Sequence, residues 1–304
     1  MGDIFKTLTA GFSRFVLAWL VPSLATLAVF AVYIYPEIKG SGVIRPIFEI
    51  ANVGKIQAGL VFSFSAILLS LLFALTALPL NRLLEGYTLP TPIQRHFRRR
   101  QVRRMLRFRR TWERTPERFP DRRGQIREQL DLYPLERREI LPTRLGNAYK
   151  SVEIYGRDQF RLDLQTFNYE LHGVASARLL QDVDDTRAQV DFFIGFVGQL
   201  SLLSFVSLFV AVHVPSDTAL VVAVASLVLA RLSYAAAVKN ITDLKYAMQA
   251  LVNTGRPGLA TALGYRLPTR LAREREFWGA WTRSVQDRKH AELMSFDNER
   301  IQPD

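Results

Sequence analysis

Long uncharged segments are the dominant pattern along this chain. Residues 15–36, 56–81 and 192–216 contain no Asp, Glu, Lys or Arg, which gives uncharged segments of 22, 26 and 25 residues. Each segment exceeds the ~18 apolar residues that a helix needs to cross a bilayer. The pattern therefore predicts membrane spans at about 15–35, 56–81 and 192–212.

A fourth apolar segment is interrupted by a single arginine. Residues 218–230 are uncharged, Arg231 follows, and the sequence LSYAAAV continues the apolar segment to Val238. Residues 218–238 are long enough to cross a bilayer if the arginine can be accommodated. We expect a fourth span here, joined to the third by a tight turn.

The polar parts of the chain show helical periodicity. The first of them contains an arginine-rich segment in which apolar residues approximate one face of a helix. Thr143 is placed to cap a second helix, and a third helix is expected to cover residues 175–190 and to run into the third span. The apolar face of the arginine-rich helix consists of Ile93, Phe97, Met105, Phe108 and Trp112.

The helix of the fourth span is expected to continue beyond the membrane. Its apolar face persists until Asn253, Gly255 and Pro257, residue types that end helices. A final helix is predicted near the C-terminus, with its apolar face at Leu271, Trp278, Trp281 and Val285.

These elements define the predicted fold class. No alternating pattern of useful length predicts a strand, so we expect an all-α integral membrane four-helix bundle with a helical cytosolic insert and a C-terminal helical tail. The predicted parts are two transmembrane hairpins, 1–83 and 190–239, the arginine-rich region 84–189, and the tail 240–304.

Charge predicts the orientation in the membrane. Between Arg95 and Arg127 there are 14 arginines and three acidic residues, so this window carries +11 of the formal net charge of +12. Basic residues close to spans stay in the cytoplasm. We therefore expect a multi-pass protein of the cell membrane with both termini in the cytoplasm. On the outer side of the membrane, the segment that starts at Pro46 is expected to form either a short helix on the outer leaflet or an ordinary loop.

The arginine-rich segment from Arg95 to Arg110 is the strongest local signal. A cationic helix beside a span can lie on the anionic inner leaflet, although arginines also fix topology or surround a packed cytosolic helix. Nucleic acid would attract the same charge, but the position directly after a span makes it the least favoured partner. The candidate lipid or partner contacts are Arg98, Arg99, Arg103, Arg104, Arg107, Trp278 and Trp281, of which the two tryptophans fit the cytosolic core at least as well.

Polar side chains inside the predicted spans form a second candidate site. At ~1.5 Å per residue they fall at similar depths, in the inner half of the bundle. One interpretation is a polar constriction in a channel; the other is a snorkelling arginine with ordinary interhelical hydrogen bonds. The side chains are Ser23, Ser70, Gln199, Ser201 and Arg231.

Enzymatic signatures are weak. The chain has no cysteine, and its four histidines lack metal-binding spacing. The string DVDDT at 182–186 matches the D-x-D-x-T of haloacid-dehalogenase-type phosphotransferases, but the residues before it predict a helix rather than the required strand. No nucleotide-binding or esterase motif is present. We therefore expect no catalytic residue, metal or cofactor.

Two strings carry a resemblance. With NRLLEGY at 81–87 and LPTRLGN at 141–147, the chain resembles a group of actinobacterial four-span membrane proteins of no established activity. In these proteins two helices, an arginine-rich stretch, a P-T-R-L-G-N string and two further helices follow in order. The resemblance supports the topology and implies no activity.

The sequence thus favours a non-enzymatic function. The first hypothesis is a membrane-anchored interaction or assembly module that uses its basic cytosolic helices to bind anionic lipid, a cytosolic protein partner or further copies of itself. The alternative is an oligomeric ion channel or membrane-permeabilising effector gated from the cytosol, with its constriction near Gln199 and Arg231.

Overall fold

The computed structural model describes residues 16–40, 55–287 and 290–301. Within these ranges the chain is helical without a β-strand, apart from an isolated bridge between Tyr265 and Arg300. The all-α prediction is confirmed. The predicted features around Pro46 lie outside the described residues.

The described α-helices vary widely in length. They are α1 (Val21–Val29), α2 (Tyr35–Gly40), α3 (Lys55–Leu75), α4 (Ala77–Glu85), α5 (Thr91–Arg114), α6 (Pro120–Asp131), α7 (Arg144–Glu153), α8 (Tyr155–Phe160), α9 (Asn168–Val174), α10 (Ala177–His213), α11 (Asp217–Ala262) and α12 (Leu271–Asp287). Five-residue π-helical turns flank α1, and 3₁₀ turns cover Arg137–Glu139 and His290–Glu299.

Four of the described helical segments are long and apolar enough to cross a membrane. They are Ala18–Lys39, Gln57–Leu75, α10 and α11, so the prediction of four span-length helices is confirmed. The second segment ends earlier than predicted, at Leu75, and α4 follows directly. The string DVDDT lies within α10, as the helical prediction for this segment requires.

The chain forms two compact units. The first unit contains Met1–Leu83 and Ala188–Asn240, and the second contains Leu84–Arg187 and Ile241–Asp304.

Small residues allow close helix packing in the first unit. A Cβ added at Gly195 would overlap the Ala18 carbonyl oxygen, and one added at Gly198 would lie 2.9 Å from Phe73 and Leu80 side-chain atoms. Close backbone approach at small residues is typical of membrane helix pairs. The Ser204 hydroxyl also donates to the α11 backbone, so α10 contacts several neighbouring helices.

Aromatic residues fill the core of the second unit. Phe167, Phe277, Trp278 and Phe296 are almost fully buried, and their rings meet edge to face. Such pairs contribute ~0.5–1.5 kcal/mol beyond the area that they bury. The apolar face of α11 completes this core through Val252, Leu259 and Ala260.

The predicted Thr143 cap is confirmed. Its hydroxyl accepts a hydrogen bond from the Gly146 N–H at 3.0 Å and donates to the Glu85 carbonyl at 2.8 Å. Gly146 has no room for a side chain beside Glu85, and Asn147 bonds both backbone groups of Leu141. The strings LPTRLGN and NRLLEGY therefore contact each other in the second unit.

The predicted stop of α11 at Asn253–Pro257 is wrong. The helix continues through Pro257 to Ala262. Buried residues lie on both sides of the proline, and a Cβ at Gly255 would lie 3.2 Å from Leu171 of α9. This packing outweighs the local cost of the proline.

Two predicted apolar faces are also corrected. On α5, Ile93 and Phe97 are exposed, and the buried face is centred on Val102 and Met105. On α12, Leu271 and Val285 are exposed, while Glu274, Phe277, Trp278 and Ser284 face the core. In both helices the neighbouring elements select which face is buried.

Candidate anion-binding surface

Helix α5 presents most of its arginines to solvent. It begins after Pro90 with Pro92 in its first turn, where proline is tolerated. One face packs against the rest of the second unit through Val102 and Met105, which cluster with Tyr133 and Ile140. The other face carries arginines that cannot be buried without partners.

Seven cationic or titratable residues follow the exposed face of α5. They recur every three or four residues, so they share one side of the helix over about 27 Å. We call this set the arginine stripe: His96, Arg99, Arg100, Arg103, Arg107, Arg110 and Arg114, all of them exposed.

The arginine stripe has little internal neutralisation. Helix α5 contains ten arginines and a single acidic residue, Glu113. Glu113 pairs at 3.3 Å with Arg109, which lies off the stripe. Within the described parts of the chain, no stripe arginine forms an ion pair. The stripe is therefore a concentrated positive surface available to an anionic partner.

A shallow groove adjoins the stripe. Its volume is about 700 Å³, and its rim combines Arg95, Arg98, Arg99 and Arg103 with the 3₁₀-turn residues Arg137 and Arg138. The apolar side chains of Val102 and Leu106 also line it. The Arg98 guanidinium donates to the Arg138 carbonyl and thereby joins the two walls.

Guanidinium groups arranged in this way suit phosphate chemistry. Each presents a planar set of N–H donors that can bind two oxygens of one phosphate. The apolar floor offers contact to carbon atoms next to such a phosphate. The arrangement can bind and orient an anion, and the stripe and groove contain neither a nucleophile nor paired carboxylates for catalysis.

The predicted contact residues occupy different environments. Arg98, Arg99, Arg103 and Arg107 are exposed, whereas Arg104 is half-buried with its guanidinium 5.5 Å from the Phe108 ring centroid. Only the exposed four belong to the stripe or its groove.

The two candidate tryptophans are not surface anchors. Trp278 is fully buried, and its indole N–H donates to Glu274 at 3.3 Å. Trp281 is half-buried against the same core, with its ring 5.8 Å from that of Tyr265. Of the two alternatives expected for Trp278, the structure therefore fits the core position, because its helix turns that face inward.

The predicted intramembrane polar layer is only partly assembled. Gln199 is fully buried, and its amide donates to the Ser23 hydroxyl at 3.0 Å and to the Trp19 carbonyl at 3.3 Å. Ser70 is buried too, but its hydroxyl donates to Ile67 of its own helix. Of the five predicted residues, Ser23 and Gln199 alone are joined by a hydrogen bond.

The other two members face outward. Ser201 and Arg231 are exposed in the first unit, and the Arg231 guanidinium lies 5.8 Å from the Tyr234 ring centroid. A single layer of all five side chains inside one chain is therefore excluded. The depth of a residue along a helix was predictable, but the side it faces depends on packing.

Arg137 and Arg138 were missed by sequence reasoning. The run ERRE at 136–139 was visible, but it has no helical periodicity that assigns it to a surface. Tyr133, whose hydroxyl donates to Gln101 of α5 at 2.9 Å, brings this segment beside the arginine helix. The pairing links residues 32 positions apart and leaves no local signal.

Comparison with known proteins adds no assignment. No family model matches this chain, and no curated protein or solved structure matches it either.

Proposed function

We propose that this protein is an integral membrane protein whose second unit is a cytosolic interaction module that binds anionic lipid headgroups through the arginine stripe. The observation that carries the proposal is the stripe itself, whose six exposed arginines cover about 22 Å of the helix and form no ion pair among the described residues. The proposed role is binding and does not involve catalysis.

Exposed apolar surface supports membrane insertion of the first unit. On α3, Leu60, Phe64 and Leu75 are 65%, 67% and 82% exposed, and α11 exposes Val221, Leu227 and Val228. Soluble proteins rarely expose contiguous apolar patches of this extent. Lipid is the solvent that suits such a surface.

The charge distribution supports a cytosolic second unit. Arg95 follows Leu75, the end of the second candidate span, by 20 positions. Basic residues this close to a span stay inside the cell. The proposed topology is four spans with both termini in the cytoplasm.

Two exposed apolar residues strengthen the argument for a lipid surface. Ile93 and Phe97 are 42% and 39% exposed in the first turns of α5, next to His96 and Arg100 of the stripe. Helices that bind at membrane interfaces combine basic residues with apolar residues that enter the headgroup boundary.

Native mass spectrometry of the detergent-solubilised full chain tests the proposal. The wild type should bind more phosphatidylglycerol than phosphatidylcholine. Each arginine near an anionic surface contributes about 1 kcal/mol, so the triple variant Arg99→Gln, Arg103→Gln, Arg107→Gln should lose roughly a hundredfold in phosphatidylglycerol affinity. Phosphatidylcholine binding should not change.

A charge-matched variant is the control. Arg122→Gln, Arg178→Gln and Arg270→Gln remove the same charge from exposed positions of the second unit outside the stripe. This variant should retain phosphatidylglycerol affinity within about threefold, since distant exposed charges are screened. Equal losses in the two variants, or a wild type without headgroup preference, would refute the proposal.

A pore formed by several copies is the second candidate function. The observation that favours it is Arg231, an ionisable side chain that is exposed on the span-length helix α11. An ionisable group within a membrane span is a default functional candidate. Ion flux in reconstituted vesicles should then change with Gln199→Leu or with Arg231→Ala, and absence of flux from the wild type would eliminate a pore.

A further inference from the structure

A large cavity lies within the second unit, away from the arginine stripe. Its volume is about 940 Å³, near the upper end of the range for small-molecule sites. Four segments contribute to its walls: α5, α6 with the residues that follow it, α7 with α8, and the second-unit part of α11.

One wall is a polar row on α11. Thr242, Lys245, Tyr246 and Gln249 line the cavity at positions i, i+3, i+4 and i+7, so they share one face of the helix. A different face of the same helix supplies core residues such as Leu244 and Leu251. Thr242, Lys245 and Gln249 are half-buried on this face, and Tyr246 is exposed.

Lys245 is a cation without a full counter-charge. Its ammonium group donates to the Asp131 backbone carbonyl. Burial lowers the pKa of Lys245, and the nearby Asp131 carboxylate opposes this effect only in part. A ligand carboxylate at this position would stabilise the charged ammonium group.

Asp158 is a carboxylate whose negative charge is only partly neutralised. It lines the same cavity, and burial raises its pKa. Its ion-pair partner Arg157 lies 3.5 Å away and is closer to Glu139, at 2.5 Å. A ligand cation at this position would stabilise the Asp158 carboxylate.

The remaining lining includes the charged side chains of Arg109, Arg127, Glu128 and Asp131 together with amide and apolar groups. Gln159 and Gln249 offer side-chain amides, whose donors and acceptors complement those of a peptide backbone. Trp112, Tyr155 and Tyr246 offer aromatic faces, and several leucines line the cavity as well. We propose that this cavity binds a short peptide with free termini, holding the peptide carboxylate at Lys245 and the peptide ammonium group at Asp158.

Isothermal titration of the full chain with blocked and unblocked peptides tests this assignment. The probes are trialanine and trileucine, each with free termini, with an acetylated amino terminus, and with an amidated carboxyl terminus. We expect at least one free-ended peptide to bind, with each blocked form at least tenfold weaker.

Variants assign the two charges separately. Lys245→Gln should abolish the difference between the free and amidated peptides while the acetylated form stays weak. Asp158→Asn should abolish the difference between the free and acetylated peptides while the amidated form stays weak. The charge-retaining variants Lys245→Arg and Asp158→Glu should preserve both differences, and circular dichroism melts should show that every variant folds.

Failure of this inference is distinct from failure of the lipid-binding proposal. If neither free-ended tripeptide binds, or if all forms bind equally, the peptide site is refuted whatever the phosphatidylglycerol measurements show. Equal weakening of all peptide forms in a folded variant would likewise contradict the assignment of the two termini.

Discussion

The two units expose different kinds of side chain. In the first unit Phe64 and Leu75 are exposed, while Ser23, Ser70 and Gln199 are fully buried. In the second unit the aromatic core is buried, while arginines of α5 are exposed. The exteriors of the two units therefore suit different solvents, because one exposes bulky apolar side chains and the other exposes charged side chains.

The units also differ in the polar groups that they bury. In the first unit they are mainly hydroxyls and an amide. Ser23 and Gln199 bond to each other and to the Trp19 carbonyl, while the Thr26 and Ser207 hydroxyls have no hydrogen-bond partner among the described residues. In the second unit the buried carboxylate of Glu274 lies 2.9 Å from Arg256, whose guanidinium stacks 3.7 Å from the Phe160 ring centroid. A buried charge needs its partner more than a buried hydroxyl does.

The largest difference in stability should be seen when one aromatic side chain is removed from each unit in turn. Trp278→Ala should lower the free energy of unfolding by about 4 kcal/mol, because it leaves a cavity in the core. Phe64→Ala should change it by less than about 0.5 kcal/mol, because Phe64 is on the exposed face of α3. Denaturation in detergent, followed by circular dichroism, measures both. Similar losses would show that the two units do not differ in this way.

The next effect concerns buried charge. Glu274→Gln should destabilise the second unit by about 3 kcal/mol, because Arg256 keeps its charge and loses its partner. The exposed pair Arg109–Glu113 is the control, and Glu113→Gln should cost about 0.3 kcal/mol. If a double variant, Arg256→Met with Glu274→Leu, were as unstable as Glu274→Gln, the loss of packing rather than the unpaired charge would be the cause.

Close helix packing in the first unit gives a smaller effect. Gly195→Ala should cost about 2 kcal/mol, since the added Cβ overlaps the Ala18 carbonyl oxygen. Gly59→Ala is the matched control, because its Cβ would meet no atom within 4 Å, and it should leave the Tm unchanged or slightly higher. Thermal melts in detergent compare them. A neutral Gly195→Ala would mean that α10 and the first span-length segment, Ala18–Lys39, do not pack this closely.

The smallest loss of stability is expected when one hydroxyl group is removed from each unit. Ser23→Ala removes the hydrogen bond from Gln199 and should cost about 0.6 kcal/mol, the average for interhelical hydrogen bonds in membranes. Thr143→Ala removes the cap of α7 and should cost about 1 kcal/mol. Urea titrations in detergent should resolve the order. If Ser23→Ala cost more than Thr143→Ala, the Ser23–Gln199 contact would contribute more than an ordinary interhelical hydrogen bond.

Properties that depend on local periodicity could be predicted from the sequence, whereas properties that depend on contacts between distant residues could not. Four span-length helices, the Thr143 cap and the helical nature of 182–186 followed from local patterns. The end of α11 did not, because packing of Gly255 and the buried residues around Pro257 outweighs the helix-breaking signal. Arginines of α5 were prominent in the sequence, whereas Arg137 and Arg138 joined them through tertiary contacts, namely those of Tyr133 with Gln101 and of Arg98 with the Arg138 carbonyl.

The amino-acid sequence by itself determined the helical class, the number of span-length segments and the concentration of positive charge between the second and third of them. These properties follow from the residues within one continuous segment of the chain, about five helical turns for a span, and need no knowledge of distant residues. Tertiary structure decided which face of each helix is buried: it turned Trp278 inward, left Ile93 and Phe97 outward, joined Gln199 to Ser23 and gathered the walls of the cavity around Lys245. Those outcomes depend on contacts between residues far apart in the chain, and helical periodicity carries no record of which neighbour each face will meet.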